Sequence, residues 1–136
     1  MWTAETVLVC ALTLLTRPAD SFPPIQFVTA PPADVSAHAE AFVRTGDPRI
    51  YVVTSSPAFR SAQLARDRCG DLLAVRKLAS VIVHEEWHVN HGGDEAGAYA
   101  AQLTTLTFLG AGPGNSLYYA VSRAMQAQIA RQRQRH

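Results

Sequence analysis

The residue types with the clearest chemical potential lie in one short segment, His84-Glu85-Glu86-Trp87-His88. These residues form an HExxH motif, in which two histidines four positions apart project from one face of a helix. Both imidazoles can then reach one zinc ion, which lowers the pKa of its bound water to about 7. Glu85 is placed to accept the proton that this water loses. The motif therefore predicts hydrolytic chemistry with Zn2+ as cofactor, His84 and His88 as ligands and Glu85 as general base.

The motif also has a simpler interpretation, a polar helix end whose histidines are satisfied by hydrogen bonds. The apolar run of residues 78–83 directly precedes it, so His84 and Glu85 are expected to be partly buried. A buried carboxylate beside two histidines is costly unless it is neutralised, and a metal ion neutralises it most simply. The setting of the motif therefore favours a metal site.

A catalytic zinc site needs a third protein ligand, so that the fourth position stays open for water. Glu95 is the favoured candidate, because it opens the next predicted helix after the Gly92-Gly93 break and a helical hairpin can fold it back onto the histidines. Asp94 is the neighbouring alternative. His91 is a further one, but three ligands from one straight helix spread over about 10 Å of axis, which is too far for one ion.

The motif and the segment after it resemble a known group of enzymes. The HExxH segment is similar to the active-site helix of the zincin metallopeptidases, and the downstream glutamate is similar to the third ligand of their gluzincin branch. Residues 95–103, EAGAYAAQL, also resemble the third-ligand helix of the ImmA/IrrE type of small metallopeptidases. The resemblance covers about residues 72–110 and implies a peptidase with Glu95 as zinc ligand and a peptide or protein as substrate. The metzincin branch is a weaker match, because its pattern has glycine where His91 stands, although Asp94 falls at its last ligand position.

Two residues near the motif are further candidates for catalytic roles. Tyr99 lies one turn after Glu95 and can hydrogen-bond a ligand carboxylate or a developing oxyanion, although an aromatic residue in this stripe can equally belong to the core. His91 suits hydrogen bonding to a ligand or an oxyanion better than metal ligation. Trp87 is expected to pack, and Glu86 to face solvent or a strand.

The elements that must position this site predict an α+β fold, a minimal zincin-like domain with two or three short strands and mainly C-terminal helices. Strands are expected over residues 25–28, between prolines, and 50–54, where β-branched and aromatic residues dominate. By the zincin resemblance, strand 50–54 would pair with an extended substrate. Capping and periodicity predict a helix over residues 35–44 and a helical turn over 58–68. Three longer helices are predicted after them: from Asp71 to the Gly92-Gly93 break, from Asp94 to Gly110, and from Asn115 or Ser116 to a fraying, solvated basic tail at 131–136. His38, on the helix predicted over residues 35–44, is expected to be a surface or half-buried histidine and not a ligand.

The composition limits the classes of protein that fit. A length of 136 residues provides material for one domain. Twelve basic and eleven acidic residues give a formal net charge of +1, so no broad electrostatic footprint for nucleic acid or an anionic membrane exists. Two cysteines exclude a disulfide-rich scaffold and a four-cysteine zinc site.

Residues 1–21 are predicted to be a signal or leader segment, which leaves residues 22–136 as the domain. The uncharged apolar run 7–15 has the length of the hydrophobic region of a secretory signal and is too short to span a bilayer, so no stable span is expected after its removal. The alternative is an apolar helix packed on the domain. Removal would take Cys10 away and leave Cys69 as a single buried thiol. A functional leader predicts a secreted or periplasmic protein, and its absence a cytoplasmic one.

The function predicted from these residues is zinc-dependent hydrolysis of peptide bonds. Two rival hypotheses keep the HExxH helix without catalysis. One is a zinc-binding domain that binds the ion without turnover, and the other is a protein-interaction module in which the polar helix end is structural.

Overall fold

A computed structural model describes residues 1–134 as five α-helices and one three-stranded sheet. The helices are α1 (Ala4–Leu14), α2 (Pro57–Leu64), α3 (Leu72–His91), α4 (Glu95–Phe108) and α5 (Ser116–Gln134). The strands are β1 (Ile25–Val28), β2 (Ala41–Phe42) and β3 (Ile50–Val53). This architecture confirms the predicted small α+β fold with mainly C-terminal helices.

Strand β3 lies at the centre of the sheet. It pairs in parallel with β1 and antiparallel with β2, and Ile50, Val52 and Val53 are buried. Such a β-branched run suits a strand that is covered on both faces. The expectation that strand 50–54 pairs with an extended substrate is wrong, because β1 and β2 already occupy both of its edges.

The segment 29–49 differs most from the sequence prediction. The helix expected over residues 35–44 does not form, and the chain makes turns that lead into β2. Asp34, expected to cap that helix, instead pairs with Arg44 at 3.0 Å. Phe42 stacks on Tyr51 of β3 with ring centroids 5.0 Å apart, so strand pairing and burial outweigh the local helical pattern. His38 is exposed, as expected.

Helix α3 is the central element of the domain and contacts α1, α2, α4 and the sheet. Asp71 caps its first turn, since the carboxylate accepts a hydrogen bond from the Ala74 backbone amide at 3.0 Å. Leu78, Ala79 and Ile82 are buried in the main core, as the apolar run before the motif predicts. A smaller core lies between α4 and α5 around Leu106 and Leu117.

The N-terminal segment forms α1, which packs on α3 through a buried face that includes Val7. A disulfide joins Cys10 of α1 to Cys69, with their Cα atoms 5.5 Å apart. Cys69 is therefore a disulfide partner here and not the single thiol that loss of residues 1–21 would leave. Removal of that segment as a leader stays a prediction. Among residues 1–134, none of the helices combines the length and apolar character needed to cross a bilayer.

Helix α5 extends the domain beyond the point where the chain was expected to fray. It is helical through Gln134, and Arg131 lies within it. The last two residues of the predicted tail, 135–136, lie outside the described residues.

Candidate metal centre

The α3–α4 hairpin brings the predicted ligands together. Gly92 ends α3 with a φ of 87°, a left-handed conformation that a glycine adopts without strain. Asp94 then caps α4, accepting a hydrogen bond from the Ala96 amide at 3.1 Å, and Glu95 is the first residue of that helix. Asp94 is thus the cap, and Glu95 is the residue that turns back towards α3.

One group of potential ligands results from this turn. It consists of His84, His88 and Glu95, whose ligand atoms all lie within 4.8 Å of one another. The Nε2 atom of His84 is 3.7 Å from Glu95 Oε2, and His88 Nε2 contacts Glu95 Oε1. These atoms lie close enough to hold a single metal ion.

Hydrogen bonds on the other side of each imidazole fix its orientation. The Nδ1 atom of His84 is 2.8 Å from the Gln102 side-chain oxygen, and that of His88 is 2.7 Å from the Gly92 carbonyl oxygen. Because both partners only accept, both Nδ1 atoms carry the proton. In the neutral form that ligates a metal, each ring would then present an unprotonated Nε2 atom on the side that faces Glu95.

The amide of Gln102 is itself oriented by a buried serine. Its nitrogen donates to Ser80 Oγ at 3.2 Å, and the Ser80 hydroxyl donates to the Lys77 carbonyl oxygen at 2.7 Å. Since the only proton of the Ser80 hydroxyl is used on Lys77, Ser80 Oγ must accept from Gln102. This assignment places the Gln102 side-chain oxygen next to His84 Nδ1. Donors and acceptors are then matched in every hydrogen bond of the series from Lys77 to His84.

Burial and charge shift the pKa values of the group in the absence of an ion. Burial raises the pKa of Glu85 to about 7, although the neighbouring charges of His84 and His88 oppose this. Burial alone would also raise the pKa of Glu95, but its contacts with the two imidazoles outweigh burial and hold it at about 2. Burial opposes protonation of His88, but the Glu95 and Gly92 contacts raise its pKa to about 9. The carboxyl group of Glu85 thus titrates near neutral pH, whereas that of the neighbouring Glu95 is ionised.

The group opens into a cleft of about 1120 Å³. His84, Glu85, His88 and Glu95 all line it. Segment 34–48, which includes edge strand β2, contributes one part of the lining. Helix α5 contributes another, through the residues Ala120, Val121, Ala124, Gln128 and Arg131. The cleft therefore exposes the candidate metal group and Glu85 together.

The structure separates the two further candidates for catalytic roles. Tyr99 lines the cleft, and its ring centroid is 4.6 Å from that of His84. Burial raises the pKa of the Tyr99 hydroxyl, and the charge of Glu95 adds to this, whereas the charge of Arg131 opposes it. His91 is exposed, stacks on Trp87 at 4.5 Å and does not line the cleft. The structure therefore brings Tyr99 to the group and leaves His91 outside it.

Trp87 and Glu86 hold the motif in place from outside the cleft. Trp87 packs as expected, and it lies so close to α4 that a Cβ atom added at Gly97 would be 2.2 Å from its Cζ2 atom. Gly97 thus permits the close approach of α3 and α4. Glu86 was expected to face solvent or a strand. It instead pairs with Arg17 at 2.6 Å, which ties the segment after α1 to the motif helix.

Sequence reasoning missed three contributors to the site: Gln102, Ser80 and Arg131. The position of Gln102 could have been found, because it lies seven residues after Glu95 and therefore on the same face of α4. Ser80 likewise lies four residues before His84. Arg131 gave no such signal, since its position at the cleft depends on how α5 crosses the domain.

Comparisons with known proteins add no relative. The chain matches no protein-family profile, no curated protein sequence and no solved structure.

Proposed function

We propose that this protein hydrolyses peptide bonds with a zinc ion held by His84, His88 and Glu95, and with Glu85 as general base. The observation that carries the proposal is the convergence of these three candidate ligands, beside a buried carboxyl group, in one cleft. The resemblance of the HExxH segment to zincin metallopeptidases supports the same chemistry.

The donor set fits zinc. Two imidazole nitrogens and one carboxylate are a ligand set of catalytic zinc sites, in which the remaining position is open. Both imidazoles are fixed through Nδ1, by Gln102 and by the Gly92 carbonyl, which is the outer support that ligating histidines require. Zinc bound there would activate a water molecule and polarise the substrate carbonyl.

Glu85 is suited to proton transfer in this setting. Its side chain is buried, with the residue 9% exposed, and it lines the cleft beside the two histidines. A carboxylate in this position can accept a proton from a metal-bound water and return it to a leaving amine. Tyr99 lies against His84 and supplies a hydroxyl group that can donate to a developing oxyanion.

The edge strand β2 is the element of the cleft that suits an extended peptide. It lies at the end of the strand order, and Ala41 and Phe42 line the same cleft as the ligands. An edge strand offers backbone groups to which a peptide can add as a further strand. In this proposal β2 takes the role that the zincin resemblance implied for residues 50–54.

Metal analysis of matched variants tests the ligand set. We expect about one zinc per chain in the parent protein, and strong loss of zinc in His88→Ala and Glu95→Ala. His91→Ala is the matched control, because this histidine comes from the same helix but lies outside the group. Elemental mass spectrometry after zinc reconstitution makes the measurement. A parent protein without zinc, or zinc retained in Glu95→Ala, would contradict the proposed site.

Activity of Glu85→Gln tests the mechanism. This variant should keep its zinc and cleave a fluorogenic peptide library about 100-fold to 10,000-fold more slowly than the parent, as loss of a general base does. An unchanged rate would overturn the role of Glu85. Stoichiometric zinc in a parent protein that cleaves no peptide would instead indicate a non-catalytic zinc-binding domain.

A further inference from the structure

The α5 wall of the cleft carries a cation that the proposed mechanism does not use. Ala124, Gln128 and Arg131 follow one another at intervals of four and three residues, so they share one helix face. All three line the cleft that contains the candidate ligands. This face therefore presents two small or neutral side chains and then a guanidinium group to anything bound in the cleft.

The other lysine and arginine side chains that line the cleft already have acidic partners. Arg44 pairs with Asp34 at 3.0 Å, and Lys77 pairs with Glu40 at 2.6 Å. Within residues 1–134, Arg131 forms no ion pair with a carboxylate. Its charge is thus available to a ligand, whereas the charges of the other two are largely matched.

A neutral side chain holds the guanidinium of Arg131. Its Nε and Nη2 atoms donate to the Gln128 side-chain oxygen at 3.1 and 2.5 Å. This leaves the Nη1 hydrogens and one Nη2 hydrogen unused, and these form the fork that binds a carboxylate through two hydrogen bonds. Because the partner is an amide, the interaction restrains the guanidinium without neutralising it.

Arg131 also shares the cleft with the candidate metal group. It lines the cleft together with Tyr99, whose ring lies 4.6 Å from that of His84. A peptide whose scissile bond lies at the ligands would therefore place a nearby residue against α5.

We propose that Arg131 binds a carboxylate of the substrate and so selects peptides that carry one near the scissile bond. The carboxylate is either an acidic side chain or a free C-terminus, since both present the same pair of oxygens to the guanidinium. This inference rests on the proposed peptide substrate and names its chemical class.

Paired peptides test the inference through the ratio of kcat/KM between a peptide that carries the carboxylate and its partner that lacks it. Each position around the cleavage site carries Glu in one fluorogenic peptide and Gln in its partner, and each sequence is made with a free and with an amidated C-terminus. We expect the better member of one pair to be cleaved with about tenfold higher kcat/KM by the zinc-loaded parent protein. The pair that shows the preference identifies the source of the carboxylate.

Three variants assign the preference to Arg131. The ratio should fall to about one in Arg131→Ala, persist in part in Arg131→Lys, which keeps the charge without the fork, and invert in Arg131→Glu. Arg133→Ala is the matched control, because it removes the same charge from the same helix end but does not line the cleft. A ratio of one in the parent protein, or the same ratio in Arg131→Ala as in the parent, would overturn the inference.

A binding experiment separates this inference from the proposed hydrolysis. Zinc-loaded Glu85→Gln protein, with and without Arg131→Ala, is titrated calorimetrically with the same peptide pairs. Tighter binding of the carboxylate peptides that disappears in Arg131→Ala supports the role of Arg131 even when no peptide is cleaved by the parent. Cleavage of peptides without such a difference upholds the hydrolase and overturns the role of Arg131, as does the absence of any peptide binding.

Discussion

The α3–α4 hairpin and the segment 29–49 line the same cleft, but their sequences specify them in different ways. The hairpin follows from local signals: an apolar helical run, the Gly92 break and the Asp94 cap. Segment 29–49 carries local helical signals that the structure overrides, because β2 forms only where β3 supplies its partner. The part of the cleft that carries the candidate ligands is thus locally encoded, and the part that contains β2 depends on long-range pairing.

The largest effect on stability is expected from Phe42→Ala, which tests the long-range part of this comparison. Phe42 is 7% exposed and stacks on Tyr51, so truncation should reduce the free energy of unfolding by about 3 kcal/mol. Zinc affinity should change little, because the hairpin is formed by other residues. Urea denaturation and zinc titration measure the two effects.

Phe108→Ala is the matched control for that substitution. Phe108 is 68% exposed, so its truncation should change the free energy of unfolding by less than about 0.5 kcal/mol. The unfolded fraction of Phe42→Ala sets the loss of zinc binding that lower stability alone can cause. A larger loss would show that the two parts of the cleft are not independent.

A smaller effect, on zinc affinity, is expected from Gln102→Leu, which tests the hairpin. Leucine cannot accept the His84 Nδ1 proton, so zinc affinity should fall about tenfold to 100-fold. Gln102→Glu should retain affinity, because a carboxylate also accepts that proton. Competition with a chromogenic chelator makes the measurement, and Gln126→Leu on the exposed face of α5 is the control.

Ser80→Ala sharpens the same test. It leaves the Gln102 amide free to turn, so it should lower zinc affinity less than Gln102→Leu does. In the Gln102→Leu background it should have no further effect, because the chain to His84 is already broken. Additive losses would mean that Ser80 does not act through Gln102.

A further effect is a pH dependence in the metal-free protein. The pKa of Glu85 is raised from its usual 4.5 to about 7 by burial, so the folded state favours the protonated form. The stability linked to this proton is fully present below about pH 4.5 and is lost as the pH rises through 7. Glu85→Gln, which imitates the neutral form, should therefore stabilise the protein by about 3 kcal/mol at pH 8.

The same variant should have little effect at pH 4.5, where wild-type Glu85 is already protonated in the folded state. Guanidinium denaturation in the presence of a chelator at both pH values makes the comparison. His88 and Glu95 are present in both proteins, so the difference reports Glu85 together with its charge interactions with these neighbours. Equal stabilisation at both pH values would show that burial of the charge is not the cause.

The sequence by itself indicated the helical hairpin, its caps and His84 and His88 as candidate ligands, and it favoured Glu95 as the third. These features depend on residues close in the chain, where helical periodicity, a glycine break and a capping aspartate act together. It also indicated β1 and β3, whose β-branched and aromatic residues suit buried strands. The α+β class could be predicted from these elements alone.

Only the tertiary structure decided the rest of the cleft. It converted the expected helix at 35–44 into turns and edge strand β2, placed Arg131 on the α5 wall and paired Cys10 with Cys69. Each of these outcomes joins residues far apart in the chain, and their free energy comes from burial and pairing that exist only after the elements pack. Local sequence signals carry no record of such contacts, which is why the group of candidate ligands could be predicted while much of the surface around it could not.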